Sequence, residues 1–129
     1  MREDLEQRLI QRWPNWFNVH GDPQETAMVR GFAVGDGWFD LVWRLCEDLQ
    51  PLVAEAEERK GERFEVLQVK EKFGGLRFYV SLITDAIFDR IEAASAESLG
   101  TCDVCGKAGT LVSVTRQVAT RCAEHSRDS

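Results

Sequence analysis

The chain reads as a single α+β domain over residues 1–129: helices packed on a small antiparallel β-hairpin sheet, closed by a C-terminal zinc knuckle. Three observations predict it. Trp38, Val42, Leu45, Leu49, Leu52 and Ala56 recur at helical spacing over a long stretch. Residues 63–83 alternate apolar with polar around Gly74-Gly75. Cys102-x-x-Cys105-Gly106 and Cys122-x-x-His125 bracket the last part of the chain.

The first helix is predicted over 2–13, where Leu5, Leu9 and Trp13 step by four and Ile10 widens the face. Pro14 ends it, because proline disfavours helix at the preceding residue. Trp16, Phe17 and Val19 then fall in an irregular segment. His20-Gly21-Asp22-Pro23 signals a turn, and 26–34 reads as ambiguous, with extended structure the favoured option.

Asp36 is placed to cap the long helix with its carboxylate. That helix runs to Lys60, with Phe39, Trp43, Cys46 and Val53 broadening its apolar stripe. Pro51 removes one internal hydrogen bond and is expected to kink or split it. Arg59 and Lys60 suit the negative end of the helix dipole, and Gly61 supplies the left-handed stop.

In the hairpin, Gly74-Gly75 permits a tight turn with positive φ. Leu76, Phe78, Val80 and Leu82 form the buried face; Arg77, Tyr79 and Ser81 form the outer one. Thr84 caps a third helix whose stripe is Ile87, Ile91 and Ala94 with Phe88, ended by Gly100.

The subregion 101–126 carries the strongest chemical signal. Two thiolates at i and i+3 reach one metal because the loop turns back, and Gly106 lets the backbone follow. Sixteen residues separate Cys105 from Cys122, room for a short hairpin with Leu111, Val112 and Val114 on one strand and Val118 and Ala119 on the other. Cys122-x-x-His125 fits one helical turn. Together Cys102, Cys105, Cys122 and His125 make the S₃N set that Zn²⁺ takes in structural sites. Four protein ligands leave no open position, so one structural zinc is expected, worth roughly 10–16 kcal/mol of apparent free energy. This order resembles zinc ribbons and treble clefs, which implies an architecture for about the last 25 residues and no activity.

The formal charge is −6, unevenly spread: −5 over 1–60, +1 over 61–83, −3 over 84–100 and +1 over 101–129. An acidic chain argues against a general nucleic-acid binder and leaves only local basic clusters for that role. No apolar run approaches the ~20 residues of a membrane span. The charged start Met-Arg-Glu-Asp-Leu-Glu lacks an apolar h-region, which predicts a protein without a signal peptide and a cytoplasmic location.

Two surfaces are candidate binding sites. At the hairpin tip, Lys70, Lys72, Phe73 and Arg77 either meet phosphate or an acidic partner, or form a solvated end whose charges block edge pairing. On the long helix, Asp40, Glu47 and Asp48 are either a plain solvated face or a negative surface for a basic partner. Trp16 and Phe17 are open to the same two readings, core or partner anchor. Cys46 lies in an apolar stripe and reads as a buried thiol. His20 has no nucleophile or carboxylate paired with it by spacing. No phosphate-binding glycine loop and no His-Glu-x-x-His occurs, and an enzyme is not expected.

The run Val-Lys-Glu-Lys-Phe-Gly-Gly-Leu-Arg-Phe-Tyr-Val at 69–80, with the downstream helix and the Cys/His pairs, resembles small phage- and prophage-associated proteins. The resemblance implies a non-enzymatic accessory protein that binds another macromolecule, an inhibitor of a bacterial defence complex being one version. The alternatives are a nucleic-acid-binding module using Lys70, Lys72 and Arg77 with Lys107, Arg116 and Arg121, and an enzyme whose site carries no recognisable motif.

Overall fold

The longest element, α2 (Phe39–Lys60), carries the core on one face through Leu41, Val42, Leu45, Leu49, Val53 and Ala56. The computed structural model describes residues 1–22, 24 and 26–126. In it, α1 (Glu3–Arg12) is followed by α2, then β1 (Val66–Lys72), β2 (Gly75–Val80), α3 (Asp85–Ser98), β3 (Thr110–Val114) and β4 (Gln117–Arg121). The strands form two separate antiparallel hairpins, β1–β2 and β3–β4. The fold class is therefore α+β, as the sequence predicts.

α1 buries Leu5 and Leu9, and the chain then turns inward instead of meeting solvent. Trp16 and Phe17 are 9% and 2% exposed, which removes them as partner anchors. Trp16 stacks on Trp13 at 6.0 Å and meets Phe64 edge-on at 5.0 Å. Trp13 in turn meets Trp43 of α2 at 4.8 Å. Aromatic pairs of this kind add about 0.5–1.5 kcal/mol beyond the area they bury.

The same N-terminal segment closes one edge of the sheet. Val66 donates its amide to the Trp16 carbonyl at 2.8 Å. Ala33 donates to Val69 at 2.9 Å and accepts from Glu71 at 3.0 Å. Residues 26–34 are thus not simply extended: Ala27–Arg30 form a 3₁₀ turn capped by the Thr26 hydroxyl, and the chain straightens only beyond it to reach β1. Of the predicted turn at 20–23, Pro23 lies outside the described residues.

One detail at the start of α2 differs from expectation, and one of the two outcomes expected at Pro51 is removed. Asp36 does not cap the helix; it opens a 3₁₀ turn, Asp36–Trp38, and its carboxylate accepts from the Arg2 amide at 2.7 Å. Long-range pairing took the group that local pattern assigned to the cap. Pro51 does not split the helix, which is continuous across it. Pro51 and Glu47, whose carbonyl loses its helical donor, are both exposed, so water can take that place. Gly61 closes the helix at φ 66°, as expected.

The β1–β2 turn is Phe73-Gly74, with φ of 53° and 83°, while Gly75 belongs to β2 and pairs with Lys72. Two positive φ values mark the type I′ hairpin turn, which matches the twist of the strands. Glu71 steadies it by accepting from the Gly74 amide at 2.6 Å.

α3 is capped by Thr84, whose hydroxyl accepts from the Ile87 amide. Ile87, Ile91 and Ala94 face the core, but Phe88 is 53% exposed and does not join the stripe. Two ion pairs tie α3 to α2: Arg44–Glu97 and Arg90–Asp48, each at 2.8 Å. Partly exposed pairs of this kind contribute about 0–1 kcal/mol. No helix among the described residues is long and apolar enough to cross a membrane.

Candidate metal centre

Two segments deliver the four donors. Thr101 ends the α3 connection, and the loop from Cys102 to Gly106 folds back on itself. The Gly106 amide donates to the Cys102 carbonyl at 2.9 Å, and Gly106 takes φ 82°. β3 and β4 form the hairpin between the pairs, and β4 runs directly into Cys122. Cys122 to His125 is a single 3₁₀ turn rather than an α-helical one, with the His125 amide on the Cys122 carbonyl at 3.1 Å.

The four donor atoms lie within 4.8 Å of one another. Cys105 Sγ is 3.6 Å from Cys122 Sγ, and His125 Nδ1 is 3.7 Å from Cys102 Sγ and 3.2 Å from Cys122 Sγ. A tetrahedron with metal–sulfur bonds of about 2.3 Å and metal–nitrogen bonds of about 2.0–2.1 Å has S···S edges of about 3.8 Å and S···N edges of about 3.6 Å. The 3.6 and 3.7 Å separations are close to these edges, while 3.2 Å is shorter and the set as a whole spans up to 4.8 Å. Cys102, Cys105, Cys122 and His125 are therefore placed to hold one metal ion after a small adjustment of the set.

Two of the three thiols are held toward the thiolate, whereas Cys105 is raised, the Lys107 amide being outweighed by burial and by its contacts with Cys122 and Cys102. Burial pushes the Cys102 thiol up, but the amides of Cys122, Cys105 and Val104 outweigh it and bring it down to about 6. Cys122 is also lowered: burial opposes ionisation, and the His125 amide and Cys105 thiol overcome it. His125 is raised by its contacts with Cys122 and Cys102. Amides aimed at sulfur are the outer contacts that orient and stabilise metal-bound thiolates.

Sequence reasoning missed how the knuckle is seated. Gly35-Asp36-Gly37, read as the opening of a helix, lies directly against it. The Gly37 amide donates to the Asp103 carbonyl at 3.0 Å. A Cβ on Gly37 would stand 2.2 Å from the Cys102 carbonyl oxygen, and one on Gly35 would stand 2.0 Å from that of Asp103. Only residues without a side chain allow this approach. The indole of the fully buried Trp38 donates to the Thr101 carbonyl at 2.8 Å. A Gly-x-Gly pair just before a tryptophan was the available signal.

The two hairpins also touch. Thr120 is fully buried and donates its hydroxyl to the Gly74 carbonyl at 2.7 Å. A Cβ at Gly74 would meet Leu111 at 2.3 Å. The glycine of the first turn thus accommodates the second hairpin, not an external ligand. Ala119, Thr120, Cys102 and Cys122 are the buried part of this layer, while Leu111 and Val118 are 52% and 44% exposed. The hairpin has little apolar core of its own.

The predicted binding residues are not gathered into one site. Lys70 and Arg77 are cross-strand partners. Lys72 sits 5.5 Å over the ring of Phe73, which is 70% exposed. Arg121 is paired with Asp103 at 2.5 Å, so it is withdrawn from any basic patch, while Lys107 and Arg116 remain exposed. Asp40, Glu47 and Asp48 are exposed, but Asp48 is bound to Arg90 and Arg44 stands between the first and last of them. A cleft of about 500 Å³ lined by Arg2, Asp36, Asp40, Arg44 and Cys105 borders the outer side of the knuckle. Cys46 is fully buried, and desolvation pushes its thiol strongly up. His20 is exposed in a turn.

No family model, no curated protein and no solved structure matches the chain. None of these comparisons supports the resemblance to phage-associated proteins.

Proposed function

We propose that the protein is a non-enzymatic interaction module whose single Zn²⁺ is structural and whose partner is another protein. The observation that carries the metal part is the closed S₃N donor set seated on the Gly35–Gly37 backbone. A soft, tetrahedral set of three sulfurs and one nitrogen suits zinc. With all four positions filled by protein, the ion braces the second hairpin against the core and offers no site for substrate. The metal takes the place of the core that β3 and β4 lack.

A protein partner is supported by charge and by surface. The chain carries a formal −6, and Phe73, Tyr79, Ile83 and Phe88 are large apolar side chains left in solvent on one hairpin and the helix that follows it. Aromatic residues of this kind anchor protein interfaces. A defence-complex component engaged through Asp40, Glu47 and Asp48 is the version that the phage resemblance suggests. Affinity capture with the wild type and a triple charge reversal at those positions tests it. Equal capture of one protein by both forms removes the acidic helix as the contact while leaving a protein partner in place.

The nucleic-acid alternative places the contact on Lys70, Lys72 and Arg77. Anisotropy titrations with short DNA and RNA at two salt concentrations decide it, because phosphate contacts weaken steeply with salt. Salt-sensitive binding would replace the protein-partner reading.

A further inference from the structure

The two edges of the β1–β2 sheet are treated differently. The outer edge of β1 is covered by Phe17 and Ala33. The outer edge of β2 is covered at one residue: the Leu76 amide donates to Ser98 Oγ at 2.9 Å, and the Leu76 carbonyl accepts from Ser95 Oγ at 2.9 Å. Main-chain direction alternates along an antiparallel strand, so Phe78 and Val80 turn their N–H and C=O groups toward the same side as Leu76. No donor or acceptor among the described residues meets these groups.

The open part of that edge faces a groove of about 470 Å³. Its far wall is α3, where Phe88, Ile91 and Glu92 share one face at helical spacing. Phe88 and Ile83 are 53% and 47% exposed. Glu92 has no cation partner among the described residues.

Resting on the protein-partner reading, we infer that this groove binds an extended peptide segment of a partner by strand addition to β2, the segment carrying alternate apolar side chains and a Lys or Arg that meets Glu92. Three features select this occupant. The outward-turned main-chain groups at Phe78, a residue only 5% exposed, and at the half-buried Val80 suit an extended backbone laid along the edge. The apolar wall at Ile83 and Phe88 takes side chains from one face of the added strand, since successive residues point to opposite faces. Glu92, unpaired on the α3 wall, favours a cationic residue opposite it, while Arg77, on β2, is the other charged residue lining the groove. A second copy of the chain fits poorly, because its own α3 is rooted on the same edge by Ser95 and Ser98 and would collide with this one.

The probe is a displayed library of random octapeptides, selected on the zinc-loaded chain and followed by ¹⁵N NMR mapping of the best binder. The expected result is an alternating apolar sequence with one Lys or Arg that perturbs the amides of Phe78, Val80 and Glu92. Phe88→Asp and Glu92→Lys, both at exposed positions, should each weaken it by about tenfold or more, as loss of a buried apolar contact or a charged hydrogen bond implies. Their zinc content should equal that of the wild type. Peptides that map to α2 or the knuckle, or that bind both variants as tightly as wild type, overturn the β2 assignment while the protein-partner reading stands. No enriched peptide overturns the groove, and the protein-partner reading is then decided by the affinity capture with the charge-reversed helix. A concentration-dependent dimer abolished by Phe88→Asp gives the edge to a second copy and overturns the peptide.

Discussion

Gly37 and Cys102 are in backbone contact: a Cβ on Gly37 would stand 2.2 Å from the Cys102 carbonyl oxygen. The start of the long helix and the first of the four candidate ligands are therefore one packed unit. Gly37→Ala must push the knuckle away from the core. The expected cost is about 1–3 kcal/mol of stability, the range for overpacking at a tight site, read as a lower denaturation midpoint. The same variant should also lose zinc faster to a chelator. An unchanged midpoint would mean that the knuckle floats free of the Gly35–Gly37 segment.

Thr120 and Gly74 make the corresponding joint between the two hairpins. Thr120→Val keeps the shape and removes the donor, leaving a buried carbonyl unpaired. That costs about 1–3 kcal/mol, whereas Thr120→Ser retains the hydroxyl and should cost less. Denaturant titration of the two variants compares them directly.

Phe73 occupies a left-handed turn position, φ 53°, that a bulky residue adopts at a cost. Phe73→Asn produces the Asn-Gly pair favoured in type I′ turns. The variant should be more stable than wild type by about 0.5–1 kcal/mol. If Phe73 also anchors a partner, the gain in thermal midpoint will come with weaker capture of that partner.

Cys46 should behave as a core residue. Desolvation raises its thiol well above the ordinary range, so almost no thiolate is present near neutral pH. In the zinc-loaded native protein, iodoacetamide followed by mass spectrometry should leave Cys46 unmodified, and denaturant should expose it. Rapid labelling in the native state would show that α2 opens.

Much of this was legible in the sequence, for identifiable reasons. The α2 stripe, the Thr84 cap and the Gly61 stop depend on neighbours within a turn or two, and so does each Cys/His pair. What was hidden depends on residues far apart in the chain. Trp16 and Phe17 look like loop residues until β1 is laid beside them. Asp36 looks like a cap until Arg2 arrives from the N-terminus. Gly74 looks like a turn glycine and nothing more until Leu111 packs on it. Arg121 looks like part of a basic cluster until Asp103 neutralises it. In each case a tertiary contact took a group that local pattern had assigned elsewhere.

In the proposed function, a zinc ion held by Cys102, Cys105, Cys122 and His125 fastens the second hairpin to the core. Elemental analysis of reduced, tag-free protein, followed by chelation monitored by tryptophan fluorescence and hydrogen exchange, tests it most directly. The account predicts one zinc per chain. Chelation should change the Trp38 signal, through its bond to Thr101, and should remove exchange protection first from β3 and β4. A protein that contains no metal and keeps full protection in β3 and β4 would contradict it.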